Sequence, residues 1–481
     1  MSVNILDYGG FTAKMRVKME HKRNSFSSSI GFVLAAAGSA VGLGNIWRFP
    51  YLAAKDGGGL FLVIYLVLAL TFGFTLLVSE VSIGRKTHQS CLTAYGKLNK
   101  NWGWLGSIAS AIPFLIMPYY CVIGGWVLKY FVAFITGQGL EASADGYFTT
   151  FISSPFEPIV YNLIFLAATC VVVYRGVNKG IEALSKVLMP VLLLFVVGIS
   201  IYSLTLKGSA ETGGRTGIDG FLVYVVPNLE GITAHDFLVV TMDAMGQLFY
   251  SISVAMGIMV TYGSYFKDKS NLMKSVNRIE IFDTIVAFLA GVMIIPAVYV
   301  FLGEEGMSQG PGLMFVAIPK IFAEMGIVGR VIGCVFFLMV LFAALTSSMS
   351  ILEAVVSGMI DKSGITRKKA TAIEGVVALV LGVVICMGYN LFYFEFSLPN
   401  GVTAQLLDIA DYLSNNILMP VLAICTCILI GWIVKPKTII DEATKNGEKF
   451  GRKTLYIVMV KVIAPIMLFV LLLGSLGIIK L

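Results

Sequence analysis

Long apolar runs separated by short polar connections recur along the whole chain. Eleven windows of about 20 or more mainly apolar residues, enough to cross ~30 Å of hydrocarbon as helix, fall at 29–54, 60–84, 106–136, 158–175, 184–206, 237–265, 279–303, 328–360, 370–389, 404–433 and 455–479. A backbone inside lipid must satisfy its own N–H and C=O groups, so the pattern predicts an all-α polytopic membrane protein of eleven transmembrane helices. Two windows depart from plain anchors. The first, GFVLAAAGSAVGLGNIWRFPYLAAKDGGG at 31–59, carries Gly38, Gly42 and Gly44 among small residues and then Asn45 and Arg48. The sixth is apolar at both ends but holds Gln247, Ser251 and Ser253 in its middle, with Gly257 just beyond. Helix breaking and ionisable groups at membrane depth are costly unless they serve a buried site. Spans one to five and six to ten can be laid over one another with opposite orientation, each block opening on an interrupted helix. That predicts a five-plus-five inverted repeat with its site near the bilayer midplane.

Composition agrees with this class. The 481 residues are 57% hydrophobic and 13% charged, more apolar surface than one soluble core buries. Of the 35 Lys and Arg residues, 26 fall in the N-terminal arm and in the connections after spans two, four, six, eight and ten or at the span ends bordering them, whereas 137–157 and 390–403 hold none. The positive-inside bias therefore predicts a cytoplasmic N-terminus and, after an odd number of spans, an extracellular C-terminus, in a plasma membrane or cell inner membrane. The net charge of +7 reflects this asymmetry; no basic face interleaved with aromatics suggests nucleic acid. Residues 1–26 lack an apolar stretch of the kind a cleavable signal needs. The expected division is an arm at 1–26, a first five-helix repeat at 27–206, an extracellular loop at 207–236, a second repeat at 237–433, and a cytoplasmic loop with the eleventh helix at 434–481.

Polar residues inside the spans carry the candidate chemistry, each with a plainer alternative. Glu80 at depth in span two is either functional or an acceptor for unwound backbone N–H groups, and the structural role is favoured. Tyr119 and Tyr120 in span three either pack or meet a ligand. Gly180 and Pro190 bracket the start of span five, permitting local unwinding or a simple cap and kink. Asp283, three residues after Glu280, opens span seven and is placed to face cytoplasmic water or a site. Thr346, Ser347, Ser348 and Ser350 cluster in span eight, either joining helices or offering oxygens to an alkali cation. Asp408 and Asp411 lie at the depth expected of Arg48, which suggests a gate or two solvated end charges. The seven cysteines lie in or beside apolar spans, and the C-x-C at Cys425 and Cys427 is better read as packing than metal. Three histidines without HExxH or paired CxxC speak against an enzyme.

GSAVGLGNIWRFPY at 38–51, SSMS with its preceding Thr in span eight and GQLFYSIS in span six together resemble the neurotransmitter:sodium symporter family, specifically its bacterial amino-acid branch, over roughly residues 22–433. The resemblance implies a substrate cradle between broken helices one and six. A first sodium ion would lie among the Ala40 carbonyl, Asn45, Ser251, Asp283 and the substrate carboxylate; a second among carbonyls of Gly38, Val41 and Ala343 and the hydroxyls of Thr346 and Ser347. The substrate carboxylate would meet the helix start near Gly42, Leu43 and Gly44 and the Tyr120 hydroxyl, and carbonyls around Tyr250, Ser251 and Ser253 its ammonium. Its side chain would face Ile116, Tyr120, Tyr250, Ala255, Met256 and Ile351, with Ala40 and Ser347 also at the substrate. The implied extracellular gate pairs Arg48 with Asp411, beside Gln247 and Tyr250; the intracellular gate uses Arg23, Phe26, Tyr265 and Asp361.

Departures from the family pattern sharpen these expectations. Gly42 stands where monoamine members carry aspartate, so the substrate should bring its own carboxylate. Asp283 stands where chloride-dependent members have asparagine, which predicts chloride independence. Tyr250 replaces a gating phenylalanine and Phe26 a tryptophan, and the chain has eleven spans instead of twelve. The expected function is sodium-coupled import of a neutral apolar or aromatic amino acid by alternating access, using two sodium sites and no chloride. Sodium-dependent transport of another small carboxylate-bearing solute, a non-transporting amino-acid sensor and a sodium-gated channel are the competing readings.

Overall fold

The computed structural model describes residues 25–209, 213–229, 231–306 and 312–479. Among these residues nine unbroken helices are long and apolar enough to cross a bilayer: Gly59–Thr87, Lys100–Thr136, Glu157–Tyr174, Val177–Thr205, Leu272–Gly303, Gly326–Ser363, Arg367–Met387, Leu406–Ile433 and Lys453–Ser475. They are spans two to five and seven to eleven. The other two expected spans are the interrupted ones. Span one is a helix over Ser29–Ala40 and another over Gly44–Lys55, bent by 54° at the break. Span six comprises Ala234–Ser251, opened by a capping box between Thr233 and Asp236, and Ile258–Ser264. The eleven windows thus resolve into nine continuous helices and two broken ones.

Local chemistry explains both breaks. In span one Val41 turns to ψ 82°, Gly42 N–H falls back on Ala40 O at 2.9 Å, and helical bonding resumes at Asn45. In span six Ser253, Ala255 and Gly257 take φ of 53°, 55° and 74°. The left-handed conformation costs a non-glycine residue on the order of 1–2 kcal/mol, so Ser253 and Ala255 need outside support. Glu80 supplies part of it by accepting from Ala255 N–H at 2.6 Å, the backbone-acceptor role favoured from sequence.

Spans three, four, eight and nine pack on one another, while the first half of span one lies against spans five, seven and eight. Spans two and six touch backbone to backbone: a Cβ on Gly84 would sit 1.9 Å from Val260 O, and one on Gly263 2.4 Å from Val81 O, the small-residue contact typical of membrane helices. The second half of span six is held there.

One expectation about a helix start changes, and at a second helix start both readings made from the sequence stay open. Span seven begins at Leu272, not at 279, so Asp283 lies about three turns inside it and is fully buried instead of facing water. The stretch from Gly180 to Pro190 is wound: a π turn over Val177–Glu182 runs into an α-helix over Ala183–Thr205 that contains Pro190.

Candidate functional site

The two breaks face each other. Ser253 Oγ donates to Ser39 O at 2.9 Å, and Gln247 Nε2 to Gly44 O at 3.0 Å. Side chains of span six therefore meet backbone carbonyls on both sides of the break in span one, although the Gly44 carbonyl also accepts from Phe49 N–H in the π turn that resumes there.

Beside this contact lies a fully buried oxygen cluster. Ser251 Oγ stands 3.0 Å from Asn45 Oδ1 and 2.9 and 2.8 Å from the two carboxylate oxygens of Asp283. Asn45 Nδ2 donates to Asp283 Oδ1 at 2.8 Å. Tyr65 OH, from span two, reaches Ser251 Oγ at 3.2 Å and Asp283 Oδ2 at 3.4 Å. A serine has one hydroxyl hydrogen to share among three acceptors. The surplus of hard oxygen lone pairs, with a fixed negative charge, fits a hard cation.

A second group of oxygens joins spans one and eight. Ser347 Oγ stands 3.0 Å from Ser39 O and 3.4 Å from Gly38 O. Thr346 Oγ1 turns to the carbonyls of Phe342 and Ala343, both at 3.0 Å. A Cβ on Gly38 would meet Thr346 Cβ at 3.3 Å, so Gly38, Ala343, Thr346 and Ser347 converge; Val41 is buried at the break.

At the two breaks and against Ser347 of the second group lies a narrow cavity of about 20 Å³, lined by Ser39, Ala40, Gly42, Ile116, Tyr120, Tyr250, Ser253, Met256, Ile258, Ser347 and Ile351. The Tyr120 hydroxyl is buried beside it, close to the Ser347 hydroxyl and the Leu43 backbone. A Cβ on Gly42 would sit 2.6 Å from Ser347 Oγ and 3.2 Å from Tyr120 OH, and one on Gly44 2.2 Å from Tyr250 Cδ1. Glycine at both positions keeps this space open. Leu43, Gly44, Ser251 and Ala255, also expected at the substrate, are at the breaks but do not line the cavity.

Tyr250 separates this cavity from a wider one of about 270 Å³, lined among others by Arg48, Lys55, Asp243, Tyr250, Asn415 and Met419. Arg48 and Asp411, expected to pair, are not within ion-pair distance among the described residues. Asp411 accepts from Asn415 Nδ2 at 2.6 Å. Asp408 Oδ2 accepts from Gln405 N–H at 3.0 Å, capping its own helix.

At the basic end, Arg23 lies outside the described residues, and with it the Arg23–Asp361 pair. Phe26 is buried, gives its N–H to Tyr265 O at 3.1 Å and packs edge-on to Tyr262 and Tyr265. Asp361 Oδ2 accepts from Ser90 N–H at 2.7 Å. Tyr265 OH donates to Glu353 Oε1 at 2.6 Å, and Glu353 also pairs with Arg367.

Sequence reasoning missed Tyr65, Ser39, Glu353 and Arg367. Ser39 sat unmarked within the small-residue run it belongs to, and Tyr65 was one aromatic in an apolar window. Glu353, six residues past Ser347 inside span eight, was the one with a usable signal: an acid at membrane depth asks for a partner.

Comparison with known proteins accords with this architecture. The profile of the sodium:neurotransmitter symporter family matches residues 23–143 and 156–480. An uncharacterized sodium-dependent transporter of Bacillus subtilis is 34% identical over 96% of this chain and 99% of its own length. One of Methanocaldococcus jannaschii is 32% identical over 93% of this chain and 89% of its own. Among solved structures, MhsT in complex with L-phenylalanine superimposes with a TM-score of 0.82 at 33% identity, covering 94% of this chain and 100% of that one. The chain belongs to the sodium:neurotransmitter symporter family and is a multi-pass, sodium-dependent membrane transporter, not an enzyme.

Proposed function

We propose that this transporter couples the inward sodium gradient to import of a neutral, apolar or aromatic amino acid. The observation that carries the reading is the Asn45–Ser251–Asp283 cluster, which gathers more acceptor lone pairs than hydrogens next to a cavity bordered by bared backbone. One sodium ion binds there with the Ala40 carbonyl and the substrate carboxylate. A second binds among Gly38, Val41, Ala343, Thr346 and Ser347. The buried Tyr120 hydroxyl, which lines the cavity, donates to the carboxylate, which also lies near the N-terminal end of the helix resuming at Gly44, where partial positive charge favours an anion. L-phenylalanine in the MhsT complex is consistent with an aromatic substrate. The cavity is small, so such a side chain enters by displacing Met256, Ile351 and the Tyr250 ring; methionine adapts readily in shape.

The basic end faces the cytoplasm. Arg48 and Asp411 close over the loaded site, and release runs past Phe26 and the start of span five, where unwinding between Gly180 and Pro190 lets water reach the second sodium. Each charge moved inward through 100 mV contributes ~2.3 kcal/mol. The Asp283 carboxylate supplies the negative charge beside sodium, so chloride is not required.

Uptake of a labelled amino-acid panel into proteoliposomes tests this, with sodium or potassium outside and chloride or gluconate as anion. Sodium-only, chloride-indifferent uptake is expected. Uptake persisting in potassium removes the coupling, and a chloride requirement removes the role given to Asp283. Binding without uptake makes the protein a sensor. Gly42→Asp, whose Cβ enters the space of Ser347 and Tyr120 and whose charge repels a carboxylate, should weaken amino-acid binding about 100-fold, ~2.7 kcal/mol.

A further inference from the structure

Arg452 lies in the connection ahead of span eleven yet reaches inward to two other spans. Its guanidinium makes a two-pronged contact with Glu280 of span seven, Nη1 to Oε1 at 2.9 Å and Nη2 to Oε2 at 2.7 Å. Nη2 also donates to Asn277 Oδ1 at 2.8 Å, and Nη1 to the backbone carbonyl of Leu70 in span two at 2.8 Å. Its plane lies over the Phe74 ring, 3.5 Å from the centroid. Leu70 belongs to the π turn Ala69–Gly73, where Phe74 N–H reaches back five residues to Ala69 O. That widened turn leaves the Leu70 carbonyl open to a side-chain donor.

Both contacted elements lead directly to the first oxygen cluster. Glu280 is one helical turn from Asp283, on the same face of span seven. Leu70 is five residues from Tyr65, whose hydroxyl touches Asp283 and Ser251. Planar, bidentate pairing is what distinguishes arginine from lysine, and here the fork binds one span through a carboxylate and the other through a carbonyl and a ring.

We propose that Arg452 is a positioning residue for sodium: it clips span two to span seven one turn from Asp283 and so sets the spacing of Tyr65, Ser251 and Asp283. This rests on the reading of that cluster as a sodium site. The clip makes sodium affinity depend on a residue that touches neither ion nor substrate and lies in a connection, whereas every cluster oxygen lies within spans one, two, six and seven.

The test uses the purified full-length protein and sodium alone as the probe. Melting temperature is followed against NaCl, with choline chloride holding ionic strength constant, because a ligand that binds only the folded state raises it in a concentration-dependent way. Wild-type protein stabilised by sodium and not by choline upholds the sodium reading; no such effect overturns that reading, independently of the clip. Given the effect, Arg452→Ala is expected to raise the half-saturating sodium concentration at least about tenfold. Glu280→Gln and Arg452→Lys, each retaining part of the contact, should give intermediate increases. Glu442→Gln is the control: it weakens the tie between the same connection and the buried Arg85, whose Nε lies 2.7 Å from Glu442 Oε1. It should lower the melting temperature and leave half-saturation unchanged. If Arg452→Ala does not fold, Arg452→Lys and Glu280→Gln carry the test. Half-saturation unchanged in the variants that fold, whatever happens to their melting temperatures, overturns the proposal and leaves Arg452 a general anchor.

Discussion

Asn45→Ala is expected to abolish sodium-driven uptake and to raise the sodium concentration for half-maximal amino-acid binding by about 30-fold or more. The Asn45 amide does two things in the cluster: its Nδ2 donates to Asp283 Oδ1, and its Oδ1 stands 3.0 Å from Ser251 Oγ. Alanine removes the donor and leaves a fully buried carboxylate short of a hydrogen bond. Contacts of that kind to charged groups contribute about 1.5–3 kcal/mol, and 2 kcal/mol already corresponds to about 30-fold. Removal of the amide oxygen takes one ligand from the proposed sodium site as well. Asn45→Asp separates the two functions, because it keeps an oxygen but adds a second negative charge beside Asp283. Protons compete with sodium for such a pair of carboxylates, so the sodium affinity of Asn45→Asp should fall as pH is lowered more steeply than that of Asn45→Ala. Titration of labelled amino-acid binding with sodium at two pH values measures both variants. Wild-type sodium dependence in Asn45→Ala would remove the cluster from the coupling mechanism.

What could be read from the chain was the set of places where membrane physics is violated. Glycines with Asn45 and Arg48 in one apolar window, and Gln247 with two serines in another, have no cheap explanation in lipid, and both windows are broken helices in the structure. Span seven was misjudged at its start because hydropathy measures suitability for lipid. Lys274, Arg278 and Glu280 lower it over helical turns whose Glu280 face is covered by Arg452, while Asp283 is covered by Asn45, Ser251 and Tyr65. Burial against protein tolerates charge that burial against lipid does not.

Partner choice was less legible than depth. Arg48 and Asp411 were matched by their level in two windows, but Asp411 turns to Asn415, four residues along its own helix, a contact that depth alone does not specify. Tyr65 was hidden for a related reason. Nothing within span two marks its hydroxyl as functional; the contact exists only once spans two, six and seven are packed. Backbone breaks are local events with local signals, whereas the second layer of polar contacts belongs to the packed bundle.

The second large effect is expected at Glu80, which lines neither cavity. Its Oε1 accepts from Ala255 N–H at 2.6 Å, and Ala255 holds a left-handed φ of 55° between Ser253 and Gly257. The carboxyl group therefore stabilises the break in span six from the neighbouring span. Glu80→Ala strands the Ala255 N–H in a buried position, at a cost of about 1–3 kcal/mol, and the nearby Ser253 and Met256, which line the proposed substrate cavity, lose their fixed placement. Amino-acid affinity should fall about 10- to 100-fold. The half-saturating sodium concentration, read from sodium-dependent thermal stabilisation without substrate, should shift little because the Asn45–Ser251–Asp283 contacts do not involve Glu80. Glu80→Gln retains an acceptor oxygen and is expected to stay within about threefold of wild type. If Glu80→Gln is as damaging as Glu80→Ala, the negative charge and not the accepted hydrogen bond is what span six requires, and support of the break through Ala255 is wrong.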